Sequence, residues 1–108
     1  MKKSLATIAI VALLATGATS AQALSYTGTK YGSSIFTSGS YLSIKDNKND
    51  GQFPSVNYKY AGGTKQGGIA NKNGYGVTLS FNAPSSITAI QPCISRTALP
   101  MSCGSWIY

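Results

Sequence analysis

Apolar and polar residues alternate along much of the chain. Leu42 and Ile44 face one way, Ser43 and Lys45 the other. Val56, Tyr58 and Tyr60 oppose Ser55, Asn57 and Lys59, and Val77, Leu79 and Phe81 oppose Thr78 and Ser80. A period of two predicts strands with one buried face. No stretch of useful length carries the 3.6-residue period of a helix. Residues 87–94 are rich in β-branched side chains and predict a strand without a clear phase. Trp106, Ile107 and Tyr108 predict a last strand. Residues 24–40 are rich in Ser, Thr and Gly and predict the least regular part of the domain, with a short edge strand at Ile35 and Phe36.

Turn chemistry separates these runs. Residues 46–51 (Asp-Asn-Lys-Asn-Asp-Gly), the Gly-rich residues 61–68, the Asn-Gly pair inside residues 71–74, and residues 83–86 all supply side chains that tolerate left-handed or tight backbone. Pro100 favours a turn around Leu99 and Pro100. Short strands with a turn every eight to twelve residues predict an all-β fold, a small antiparallel β-sandwich or partly open barrel. There is no internal repeat and no sign of a second domain.

Residues 1–23 stand apart. Lys2 and Lys3 precede an apolar run from Leu5 to Ala15, and Ala21-Gln22-Ala23 is a small-x-small site. This three-part pattern predicts a secretory signal peptide cleaved after Ala23. The apolar run is short for a span of about 20 residues, and no later stretch approaches one. The expected product is a single secreted, extracellular β-domain, residues 24–108, with no transmembrane segment. Oxidising surroundings then make a Cys93–Cys103 disulfide the expected state of the two cysteines, closing a hairpin between the strand 87–95 and the last strand. Two reactive thiols are the alternative.

Composition narrows the chemistry. The chain has no His and no Glu, and its side-chain carboxylates are Asp46 and Asp50. Acid–base catalysis usually needs His or contrasting carboxylates, so the expectation is a non-enzyme with no catalytic residues, no metal and no cofactor. Residues 46–51 share the outline of a calcium loop, but Lys48 occupies a ligand position and no Glu follows, which favours a plain turn. Beyond residue 23, seven cations face two carboxylates, a net charge of +5. Lys59, Lys65 and Lys72 lie in neighbouring elements and would form a basic face. The candidate ligand contacts are these three lysines with Arg96 and Trp106, because aromatic rings beside cations can hold sugars or single-stranded nucleic acid. The competing reading puts most of the tyrosines in the core and Trp106 over the disulfide. Arg96 also sits in the Cys93–Cys103 ring with Pro100 behind it, in outline like the disulfide-closed loops of small serine-protease inhibitors.

From Tyr41 onward the layout resembles a loose class of small secreted single-disulfide β-domain proteins from Gram-positive bacteria. The features are the strand entering the Asp-to-Gly turn 44–51, the segment 71–76, and the ending Cys103-Gly104-Ser105-Trp106. The resemblance implies a compact β-domain and brings no activity. The expected function is a secreted, non-enzymatic β-sandwich module at or near the bacterial cell surface. Its expected partner is an anionic cell-wall polymer or a secreted protein, with no specific nucleic acid. The alternatives are a cationic antimicrobial or toxin-like protein and a serine-protease inhibitor using the disulfide loop.

Overall fold

The computed structural model describes residues 23–108, so the predicted signal segment, apart from Ala23, lies outside the described residues. Eight strands follow in order: β1 (Ser25–Gly28), β2 (Ser33–Ser38), β3 (Tyr41–Asp46), β4 (Pro54–Tyr60), β5 (Lys65–Ala70), β6 (Thr78–Asn82), β7 (Ile87–Arg96) and β8 (Leu99–Cys103). They form two antiparallel four-stranded sheets, β1-β2-β3-β6 and β5-β4-β7-β8. The fold is an all-β sandwich with one disulfide.

The alternation read from the sequence becomes rows of side chains across each sheet. In the first sheet Tyr26, Ile35, Ile44 and Leu79 are register partners. Thr37, Leu42 and Phe81 form the next row, extended by Leu24, whose amide donates to Thr37 Oγ1 at 3.0 Å. In the second sheet, Ile69, Val56 and Pro92 form one row and Tyr58 and Ile90 another. Leu24, Ile35, Leu42, Ile44, Val56, Tyr58, Ile87 and Ile90 join in one buried cluster, which excludes water from both inner faces.

Four expectations need correction. Residues 24–40 hold two strands rather than irregular chain, and Ile35 lies in β2, inside the sheet between β1 and β3. Part of the Gly-rich connection 61–68 is strand: only residues 61–64 turn, and Lys65–Ala70 pairs with β4. Gly67 opposes Tyr58, and a Cβ at Gly67 would lie 2.5 Å from the Tyr58 hydroxyl. Here glycine marks close approach of a ring to the backbone, not a flexible link. The turn of the last hairpin is at Thr97 and Ala98, with Ala98 at φ 56°, so Pro100 lies inside β8. An edge strand accepts it because one side of its ladder needs no donor. Finally, Trp106–Tyr108 is not a strand. Ile107 alone pairs, exchanging two backbone bonds with Ile90 at 2.8 and 2.9 Å.

The unclear phase of residues 87–94 has a local cause. Tyr60 pairs with Ile87 and Lys59 with Ala89, so Thr88 is an extra residue. This bulge returns Ile87 to the face of Ile90, and both are buried.

Tyr58 packs against Phe81 and Tyr60, with ring centroids 5.3 and 5.9 Å away. Burial, and secondarily the neighbouring Tyr60 phenol, push the Tyr58 hydroxyl above its usual value of 10.0. A raised value means that the folded state holds this proton more tightly than the unfolded chain. Its contribution to stability is therefore complete below about pH 10 and is lost as pH rises through the folded value. Tyr58→Phe keeps the ring and removes the titration. The expected outcome is a shallower fall of melting temperature above pH 10 than in the wild type. Parallel curves for the two proteins would refute it.

Candidate binding site

The five candidate contact residues scatter, and the reason is strand parity. Lys59 projects from the outer face of the second sheet, where its ammonium lies 4.5 Å from the Trp106 ring centroid and 5.2 Å from that of Tyr108. It also donates to the Tyr108 hydroxyl at 3.1 Å. The paired bonds of Ile107 to Ile90 turn that residue inward, so Trp106 and Tyr108 flank it on the Lys59 side. Trp106 thus meets a lysine, the one predicted neighbour among these five that the fold delivers. Lys65 is the register partner of Tyr60, so it points to the opposite face from Lys59. Lys72 follows β5 at its far end, beyond the Ser55–Ala70 pair, with its ammonium 4.9 Å from the Phe53 ring centroid. The three lysines do not form one face.

Arg96 closes its own hairpin. Its Nε donates to Pro100 O at 2.8 Å. The Cys93–Cys103 ring is a tight strand–turn–strand unit, bonded where the two cysteines are register partners with Cα atoms 4.0 Å apart. The ring offers no extended reactive loop. Of the tyrosines, Tyr31 and Tyr58 are buried and Tyr26 and Tyr60 pack against the core, whereas Tyr41, Tyr75 and Tyr108 are exposed.

A concave feature of the surface lies elsewhere. Three crossovers carry the chain from one sheet to the other, and two of them lie together here: residues 47–53 lead from β3 to β4, and residues 71–77 from β5 to β6. The second was read as an Asn-Gly hairpin signal. It is not a hairpin, because the strands it joins belong to different sheets. Between these two crossovers lies a cavity of about 340 Å³, at the small end of the range for small-molecule sites.

Local polar bonds shape both walls. Asp46 Oδ1 accepts from Lys48 N at 3.0 Å, and Asp50 Oδ1 accepts from Gln52 N at 3.0 Å. These are two successive Asx turns. Gly51 follows Asp50 at φ 73°, a conformation that costs glycine least. On the other wall Asn71 is fully buried. Its Nδ2 donates to Ile44 O and to Val77 O, both at 2.8 Å, while Oδ1 accepts from Asn73 N at 3.1 Å and its backbone N donates to Pro54 O at 2.9 Å. The side-chain amide thus ties β3 to the crossover, and the backbone N–H of the same residue ties both to the start of β4.

Asp46, Lys48, Asn49, Asp50, Gln52 and Phe53 line the first wall, and Lys72 and Tyr75 the second. Lys48 reaches Asp50 Oδ2 at 3.8 Å, a loose ion pair. Of these residues Lys72 alone was singled out from the sequence as a contact. The carboxylates were legible as turn formers, but no sequence signal pairs two crossovers more than twenty residues apart. No family model, no curated protein and no solved structure matches the chain.

Proposed function

We propose that this is a secreted, non-enzymatic β-sandwich module that acts at or near the bacterial cell surface and associates with anionic wall polymers. The observation that supports this reading is the unneutralised positive charge. Among the described residues a single ion pair forms, Lys48 with Asp50. Lys30, Lys59 and Lys72 rest against aromatic rings, and Lys45 and Lys65 are exposed on strands. Cations spread in this way on a rigid scaffold attract a polyanion from many directions without a shaped site. The chain also lacks His and Glu, and both aspartates accept hydrogen bonds within their own turn, which leaves acid–base catalysis without equipment.

The test is co-sedimentation of residues 24–108 with Gram-positive walls before and after removal of their phosphate polymers. The expected result is retention on intact walls at about 50 mM salt and release at about 500 mM, where screening is severe. The triple variant Lys45→Gln, Lys59→Gln, Lys65→Gln should be retained less. Failure to sediment with intact walls at low salt would refute the reading.

A further inference from the structure

The cavity between the crossovers does not share the charge logic of the rest of the surface. Its two ammonium groups, Lys48 and Lys72, are matched by two carboxylates, Asp46 and Asp50. A lining without net charge selects neither an anion nor a cation. It does offer acceptors and donors side by side. Asp46 is 3% exposed, yet it lines the cavity, and its second carboxylate oxygen has no protein donor among the described residues. The buried polar side-chain atom left without a partner among the described residues is Ser33 Oγ, so this Asp46 oxygen meets solvent in the cavity, where a hydroxyl donor from a ligand can take the place of water. Asn49 and Gln52 add side-chain amides that make no bond within the described residues. At the rim, Tyr75 is 61% exposed, a large aromatic ring with nothing covering it. Phe53 gives a second ring, under Lys72.

We infer that this cavity is a binding site for a neutral saccharide unit. A pyranose ring presents hydroxyls around its edge and an apolar C–H patch on its face. The Asp46 carboxylate and the two amides suit the hydroxyls, and the Tyr75 ring suits the C–H face. The Lys72 ammonium is free of any carboxylate and donates to ring or hydroxyl oxygens. The volume admits one hexose or N-acetylhexosamine, so affinity for a single unit falls in the millimolar range. The inference stands apart from the charge reading above, since that association needs no cavity and this one needs no net charge.

The experiment is a titration of the disulfide-intact, ¹⁵N-labelled protein, followed by amide NMR shifts. The probes are glucose, galactose, N-acetylglucosamine and the β1,4-linked disaccharides cellobiose and chitobiose, with glucose 1-phosphate and glycine as charged and zwitterionic controls. The expected result is saturable shifts at residues 46–53 and 71–76 with at least one neutral sugar. Asp46→Asn, which keeps an acceptor for Lys48 N, and Tyr75→Ala, on the exposed rim, should each weaken binding by about tenfold or more. Lys59→Gln should not change it. Tyr75→Ala removes no buried contact, so it remains informative if Asp46→Asn folds poorly. The inference is overturned if no neutral sugar shifts these residues. It is also overturned if only glucose 1-phosphate or glycine does, or if both cavity variants bind as the wild type does. Wall binding that survives in those variants while sugar binding is lost separates this site from the charged surface.

Discussion

Asn71→Ala should lower the free energy of unfolding by about 3 kcal/mol, a large share of what a domain of this size has. The side chain is completely buried and satisfies three backbone groups at once: Ile44 O, Val77 O and Asn73 N. Alanine removes one donor from each of two carbonyls and the acceptor of Asn73 N; Val77 O keeps the Asp46 amide at 3.3 Å, and the bond to Ile44 O is lost in a buried place. Each of the three lost bonds contributes about 1 kcal/mol net, which sets the total near the figure above. Asn71→Asp is the sharper test. It preserves volume and the acceptor for Asn73 N, but a carboxylate cannot donate to Ile44 O and Val77 O. It should therefore destabilise at least as much as alanine near neutral pH. Urea unfolding followed by Trp106 fluorescence measures both. A loss below about 1 kcal/mol for each variant would mean that the crossover holds without this amide. The same bonds hold the wall that carries Lys72 and Tyr75, so any surviving folded Asn71→Ala should also lose sugar binding.

Replacing both cysteines by alanine should cost about 3 kcal/mol. In the chain-entropy description, a link across ten positions removes loop freedom from the unfolded chain. Its position gives it a second consequence. Cys103 is exposed and belongs to the edge strand β8, while Cys93 is buried in β7. Beyond Cys103 the chain is held by Gly104 N on Pro92 O at 2.9 Å, the Gln91 side chain on Gly104 O at 3.0 Å and the two bonds of Ile107. Without the link, β8 and the segment carrying Trp106 should open before the first sheet does. Hydrogen exchange of the reduced protein should show early loss of protection at residues 99–107, with Leu42 and Ile44 still protected. Uniform loss across both sheets would argue that the disulfide stabilises only the whole. A midpoint unchanged by reduction would argue that it contributes nothing.

The two effects differ in how visible they were. A cysteine pair in a small chain with an export pattern announces a link by arithmetic alone. Asn71 looked like part of an Asn-Gly turn, because its residue type is equally at home in a solvated hairpin and in a buried clasp. Only the separation of β5 and β6 into different sheets distinguishes the two. Strand β5 was hidden for a related reason. Its Lys-Gln-Gly-Gly start carries no strand propensity, and its conformation comes from pairing with β4 and from the Tyr58 ring, which occupies the space above Gly67.

What this sequence determined by itself follows from local rules. Side chains alternate across a pleated strand, so the buried positions at Leu42, Ile44, Val56 and Tyr58 could be read without knowing their neighbours. Gly and Asn fixed where the chain could turn, and two cysteines could form one link. The tertiary structure decided everything that depends on which strands lie side by side. The Thr88 bulge exists only against Lys59 and Tyr60. Lys59 and Lys65 fall on opposite faces because Lys65 happens to pair with Tyr60. The cavity exists because two crossovers, remote in sequence, leave the same end of the sandwich. Register and sheet order are set by the summed burial of two whole faces. That sum runs over distant residues, so no local pattern along the chain contains it.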